Sequence, residues 1–111
     1  MRNPLPYRRI SQLYALEFAD QTYTLCVGFY DDGKPGEVFI DSISAKEGSD
    51  LRAIMSDACV LISIALQHGI SKAELTHSMG KVPKWVKGKE GEGAASILGA
   101  ILEAIPEELN D

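Results

Sequence analysis

Apolar positions recur along this chain at two different periods, and the change of period marks its elements. From Ile10 to Ala19, Tyr14, Leu16 and Phe18 share one side, with Ala15 and Glu17 on the other. From Gln21 to Tyr30, Tyr23, Leu25, Val27 and Phe29 alternate with Thr22, Thr24, Cys26 and Gly28. A period of two in text rich in β-branched and aromatic residues predicts two strands. The short Asp20-Gln21 connection suits a tight hairpin. The turn text Asp31-Asp32-Gly33-Lys34-Pro35-Gly36 follows, and Asp-Gly favours a turn with positive φ. Glu37 to Asp41 then reads as a third strand, with Val38 and Ile40 facing one way. The unit is a three-stranded antiparallel β-meander.

Between Gly48 and Gly69 the period changes to that of a helix. Ser49 or Asp50 can cap its start. Leu51, Ile54, Ala58, Leu61 and Ala65 form a stripe, which Met55, Ile62 and Leu66 widen. From Ala58 to Leu66 only Ser63 is polar, so this half reads as a core helix covering the sheet. Gly69 supplies a left-handed stop. Residues Ser42 to Glu47 connect the third strand to this helix. Next, Ser71 and Glu74 have capping-box spacing, and Ile70 and Leu75 stand where a hydrophobic staple places them. They predict a short helix reaching Met79. Near the C-terminus, Ile97, Leu98, Ile101, Leu102 and Ile105 form a second helical stripe that Pro106 ends. The small residues Ala94, Ala95, Gly99, Ala100 and Ala104 permit close helix packing, and any surplus of the stripe is a dimer seam. The fold class is therefore α+β: the meander packs on a long buried helix, followed by a short helix and a C-terminal helix.

Length changes this picture little. At 111 residues the chain fits a single domain. Met1 to Arg9 carries Pro4, Pro6, Arg2, Arg8 and Arg9 and reads as a flexible basic arm. Residues 10–106 form the domain, and 107–111 an acidic tail. A net charge of −5 argues against non-specific nucleic-acid binding, which needs a basic field. MRNPLPYRRI has no apolar signal core, and no apolar run approaches the ~20 residues of a membrane span. Cys26 and Cys59 sit inside apolar patterns, as reduced buried thiols do. The expectation is a soluble cytoplasmic protein.

Candidate chemistry is sparse. Gly80 to Gly93, GKVPKWVKGKEGEG, reads as an irregular loop because Pro83 and the glycines break regular elements. In it Lys81, Lys84, Lys87 and Lys89 surround Trp85, a composition that can take a nucleotide base and its phosphate together. The same composition also suits a mobile loop with Trp85 packed back on the core. Gly88-Lys89 has neither the upstream glycine spacing nor the following Ser or Thr of a P-loop. With Gly33 and Lys34 of the turn, Lys81, Lys84, Trp85, Lys87 and Lys89 are the candidate ligand-binding residues. The corner formed by the two middle helices offers Lys72, Thr76, His77 and Ser78 as readers of DNA, too few on an acidic chain to favour that role. His68 and His77 are the only histidines. With Cys59, and with Cys26 as a fourth ligand, they are the only zinc candidates, at a spacing that matches no close-pair pattern. His68 suits a helix C-terminus, where a cation is favoured. A Cys59–His68 nucleophile pair fails because nine residues separate them by more than two helical turns. Asp50 and Asp57 share a face as a solvated stripe does. The residues define no catalytic constellation, no metal site and no cofactor.

Four stretches carry a family resemblance: VGFYDDGKPGEVFI, GSDLRAI, LISIALQHGIS and SILGAILEAI. Across roughly Thr22 to Ile105 the chain resembles the C-terminal TSCPD-type domain of adenosylcobalamin-dependent (class II) ribonucleotide reductases. It is also similar to small stand-alone members of that family in bacteria and their phages. The resemblance implies an α+β domain and a link to deoxynucleotide synthesis. The family is named for a Cys-containing motif, and Met79 to Ser96 holds no cysteine, so a zinc or thiol-exchange role is not carried over. Nor does the chain hold the large barrel, radical-site cysteine or cobalamin-binding segment of a complete reductase. The resemblance therefore implies a non-catalytic accessory or binding module. It would self-associate, and dock on a reductase-like partner or bind a nucleotide or nucleic acid through the Gly33–Gly36 turn and the Lys81–Lys89 loop. One alternative is a separately encoded fragment that supports ribonucleotide reduction, as part of a ribonucleoside-diphosphate reductase, in trans. Another is a small metal-binding protein using Cys59, His68, His77 and Cys26.

Overall fold

The computed structural model describes residues 1–42, 50–86 and 88–109. Strands β1 (Ser11–Phe18), β2 (Gln21–Phe29) and β3 (Pro35–Ser42) form an antiparallel sheet in that order. The register sets Tyr14 beside Leu25 and Leu25 beside Ile40, with Val27 beside Val38. These side chains share one face, as the period of two demands. On the opposite face Leu13, Cys26 and Phe39 form a row across all three strands, and Leu13 and Phe39 are exposed. The β1–β2 turn centres on Ala19 and Asp20, one residue before the expected connection. Both residues have positive φ, 50° and 63°.

Helices α1 (Asp50–Gln67), α2 (Lys72–His77) and α3 (Ile97–Ala104) follow. Ser49, the other candidate cap of α1, and residues 43–47 of the connection lie outside the described residues. The α1 terminus is closed as Gly69 predicts: Gly69 N–H donates to Leu66 O, Ile70 N–H donates to Ala65 O, and Gly69 has φ +88°. The α2 cap is also as expected, with Ser71 Oγ accepting from Glu74 N–H at 3.1 Å. Ser96 caps α3 in the same way, accepting from Gly99 N–H. The core joins Leu25, Val27, Phe29 and Val38 of the sheet to Cys59, Ile62 and Leu66 of α1 and to Ile101, Leu102 and Ile105. The α3 stripe is thus consumed inside the domain and leaves no surplus for a dimer seam.

Two readings of the sequence change here. First, α1 is buried along one side only. Met55, Cys59, Ile62 and Leu66 are inside, whereas Leu51, Ile54 and Leu61 are 48%, 54% and 69% exposed. The cause is its position. Helix α1 packs along the edge strand β3, while α3 packs against β1. Ser63 Oγ accepts from Val38 N–H at 3.0 Å and donates to Cys59 O at 2.8 Å. Gln67 Nε2 donates to Gly36 O at 2.9 Å. Second, the expected loop is a β-hairpin, β4 (Lys81–Val86) paired with β5 (Lys89–Ala94). Gly88 turns it at φ +74°. Pro83 is tolerated because a two-stranded ribbon consists only of edges.

Residues 1–9 contain no helix or strand. Hydrogen bonds tie them over the β3–α1 seam: Asn3 N–H donates to Gln67 O at 2.7 Å, Arg2 Nε to Gln67 Oε1 at 2.6 Å, and Tyr30 OH to Asn3 O. Arg9 forms a bidentate pair with Glu37, which lies flat over β2 where Gly28 has no side chain to obstruct it.

Two stability outcomes follow. Ser63→Ala leaves the buried Val38 N–H without its acceptor and lowers unfolding free energy by about 1–2 kcal/mol, read as a lower urea midpoint. Asp20→Gly relieves a left-handed position and raises stability by about 0.5–1 kcal/mol in the same assay.

Candidate functional site

The turn that carries Gly33 and Lys34 is held from three directions. Gly33 N–H donates to Tyr30 O, and Lys34 N–H donates to Asp32 Oδ1 at 3.0 Å. Gly33 has φ +89°, a conformation that suits glycine. Leu109 N–H donates to Gly33 O at 2.7 Å, so the end of the chain straps the turn, with Leu109 packed on the core. Beside the turn runs an open groove of about 980 Å³, lined among others by Tyr30, Asp32, Lys34, His68, Ser71 and Lys72.

Two of these groups are already engaged. Lys72 Nζ donates to the carbonyls of Glu103 and Ile105 at 3.1 and 2.5 Å, where the cation meets the unpaired carbonyls ending α3. Burial lowers its pKa from the ordinary lysine value, while Glu107 and Glu103 act in the opposite direction. Burial also raises the pKa of the Tyr30 phenol, whose OH is bound to Asn3 O.

The β4–β5 hairpin carries the other candidates, and none of its residues lines the groove. Gly33 and Lys34 are therefore one locality and the lysines another. Trp85 is 71% exposed and does not pack on the core. Alternation puts it on one face with Lys81, Pro83, Glu90 and Glu92. Lys84 and Lys89 fall on the opposite face, with Val82, Gly91 and Gly93. Lys84 lies over Gly93, where a Cβ would stand 2.8 Å from the lysine stem. Lys81 shares the Trp85 face, and its Nζ is 3.5 Å from Glu103. Lys87 lies outside the described residues. The sequence places four lysines around the tryptophan, but the pleat separates Lys81 from Lys84 and Lys89 and sets carboxylates beside the ring.

The metal candidates are dispersed. Cys59 is in the core, Cys26 is on the open face of the sheet, and His68 and His77 are at the ends of α1 and α2. Among the described residues no group of three or more His, Cys, Asp or Glu side chains comes together. Nor, among them, is any helix long and apolar enough to cross a membrane.

Residues that sequence reasoning passed over do more to build this surface. Ser63 and Gln67 bind the edge strand, and Glu37 anchors Arg9. The lone polar residue between Ala58 and Leu66 was the available signal for Ser63.

The sheet with its helix-covered edge, the strapped turn and the hairpin define a small α+β domain of mixed layers. The chain belongs to the TSCPD domain family, which matches residues 7–109. Over 69 residues, 62% of this chain, it is 44% identical to a vitamin B12-dependent ribonucleotide reductase of Rhodopirellula baltica. It is 35% identical over 69 residues to the protein of that name from Bradyrhizobium diazoefficiens. With the Agrobacterium fabrum protein of that name it shares 36% identity over 73 residues, 66% of this chain. The matched parts are 6%, 5% and 6% of those three proteins, so the chain spans about a twentieth of their length. No solved structure matches it significantly.

Among the described residues the one strongly shifted group gives a pH-dependent outcome. Burial pushes the Cys59 thiol up from 9.0 to about 11. Between those values the unfolded thiol has released its proton and the folded one has not. The unfolded state therefore binds fewer protons, and stability falls as pH rises from 9.0 towards about 11. Urea midpoints measured across that window will drop, and Cys59→Ala will flatten the drop. In the folded protein iodoacetamide will label Cys26 well before Cys59.

Proposed function

We propose that the chain is a non-catalytic binding module, related to the TSCPD domain of vitamin B12-dependent ribonucleotide reductases, that docks on a reductase-like protein partner. The observation that carries this reading is Trp85. A tryptophan 71% exposed on a two-stranded hairpin is an uncommon use of a large apolar surface. Aromatic side chains of this kind act as anchors when a partner desolvates them. Val82 is exposed on the other face of the same hairpin, so both faces offer apolar contact. The carboxylates Glu90 and Glu92 beside the ring favour a protein contact with basic residues at its rim over a phosphate-bearing ligand.

A second reading is favoured by the names of the relatives. On it the chain is a part that supports ribonucleotide reduction by a larger reductase. On that reading, adding the chain raises the turnover of a reductase that lacks its own TSCPD domain.

Docking is tested by titrating the full chain against a vitamin B12-dependent ribonucleotide reductase, using surface-immobilised binding. Wild type binds saturably, and Trp85→Ala weakens binding by about 30-fold or more, the cost of a central aromatic anchor. Unchanged affinity in that variant, or no binding by wild type, overturns the reading. A rise in melting temperature with nucleotides or single-stranded DNA instead would return the hairpin to ligand binding.

A further inference from the structure

We infer that the free edge of β1 pairs antiparallel with the same edge of a second copy of this chain, so that two meanders become one continuous sheet. Ile10 O accepts from Phe29 N–H at 3.0 Å, and the β1–β2 register runs on from that pair. The even-numbered residues of β1 therefore direct their backbone groups to β2. The N–H and C=O groups of Ser11, Leu13, Ala15 and Glu17 point out of the sheet edge instead. All four residues are exposed, and among the described residues these groups have no hydrogen-bond partner. Edge strands are ordinarily blunted by Lys, Pro, a bulge or a covering element. β1 has 8 residues, no Lys, Arg or Pro, and an unbroken register with β2. On the far edge, α1 takes the corresponding groups of β3. Helix α3 lies against the β1 face that carries Tyr14 and Leu16, and the edge stays open.

Outward backbone groups call for a strand, and the strand whose side chains match is β1 itself. A two-fold axis at Leu13 sets Leu13 opposite its own counterpart, and Ser11 opposite Ala15 of the second copy, as hydrogen-bonded pairs. The same register sets Ile10 opposite Leu16 and Arg9 opposite Glu17. Leu13 and Ile10 are 71% and 58% exposed in the single chain, and each gains an apolar neighbour. Glu17, the only charged residue of β1, gains a cation. Arg9 has guanidinium donors beyond those given to Glu37 and to Pro6 O. A slip of two residues in either direction puts Leu13 against Ser11 or Ala15 and parts Arg9 from Glu17. A slip of one sets the outward backbone groups out of phase and opposes side chains of different faces. Charge and apolar matching thus agree on one register. In it the Leu13–Cys26–Phe39 row of each sheet meets its counterpart across the axis as one apolar band. The seam lies on β1 and the Trp85 anchor on the hairpin, so this pairing stands independently of the reductase reading.

The test is sedimentation equilibrium of the full chain from about 1 μM to about 1 mM. The wild-type mass rises from 12.1 kDa towards twice that value. Leu13→Lys sets like charges opposite each other at the axis, at a position outside the core. It weakens association by about 10-fold or more, with the far-UV circular dichroism spectrum unchanged. Should that variant unfold, disulfide mapping decides alone. Hydrogen-bonded partners on antiparallel strands stand about 5.5 Å apart at Cα, within disulfide reach. In a Cys26→Ser background, Leu13→Cys protein cross-links to itself on oxidation. Ser11→Cys protein cross-links to Ala15→Cys protein and not to itself. A wild-type mass that stays at 12.1 kDa throughout overturns the inference. So does association unaffected by Leu13→Lys, or cross-linking of Ser11→Cys protein to itself.

Discussion

The hydrogen bond from Val38 N–H to Ser63 Oγ fixes the arrangement of this domain. A three-stranded sheet has two edges, and an edge strand presents unpaired backbone groups that invite another strand. On β3 those groups are taken by the helix that follows it. Ser63 receives Val38 N–H, and Gln67 supplies a donor to Gly36 O. The hydroxyl proton of Ser63 goes to Cys59 O within the helix, so the group is satisfied in both directions. Burying a backbone N–H without a partner costs more than an average hydrogen bond contributes. The one polar side chain in the apolar half of α1 is therefore the side chain that sets where α1 lies.

Once α1 is held to β3, the β1 side of the sheet falls to α3, whose Ile101 and Leu102 join the same core. It also explains why residues 1–9 cross the same region. Gln67 offers its backbone carbonyl to Asn3 and its side-chain oxygen to Arg2, so one residue connects sheet edge, helix and arm. The cost of the edge position is an uncovered helix face.

Much of the fold was legible because local signals agreed with one another. The period of two in β1 and β2, the Asp-Gly turn, Gly69 as a stop and Ser71 as a cap all describe what the chain does within a few residues. The long-range choices were less accessible. Periodicity shows that α1 has two adjacent apolar stripes but cannot say which faces the core, since that depends on where β3 ends up. The hairpin was hidden for a different reason. Its alternating faces mix Lys with Val and Trp with Glu, so no polarity pattern marks the pleat, and Pro83 argued against a strand. The lysines around Trp85 looked like one cluster because sequence distance is blind to which side of a strand a residue occupies. The resemblance to reductase domains rests on the meander text and the helix text, and the TSCPD family to which the chain belongs spans residues 7–109 of it.

The resemblance also leads one to look for cysteines between Met79 and Ser96, and the structure puts a hairpin there. This changes what the segment has to do. A metal or disulfide could staple a short ribbon, which on its own is marginal in water. Here the staple is absent from the sequence, and the ribbon is held by α3 packing against β5 and by Lys81 beside Glu103. Those contacts lie at the base of the hairpin, near Lys81 and Ala94, and leave Trp85 towards the turn. A ribbon anchored at its base and apolar near its tip gains most from a surface that covers the tip. In this chain the segment between Met79 and Ser96 thus presents an aromatic side chain near the tip of a ribbon that α3 holds at its base.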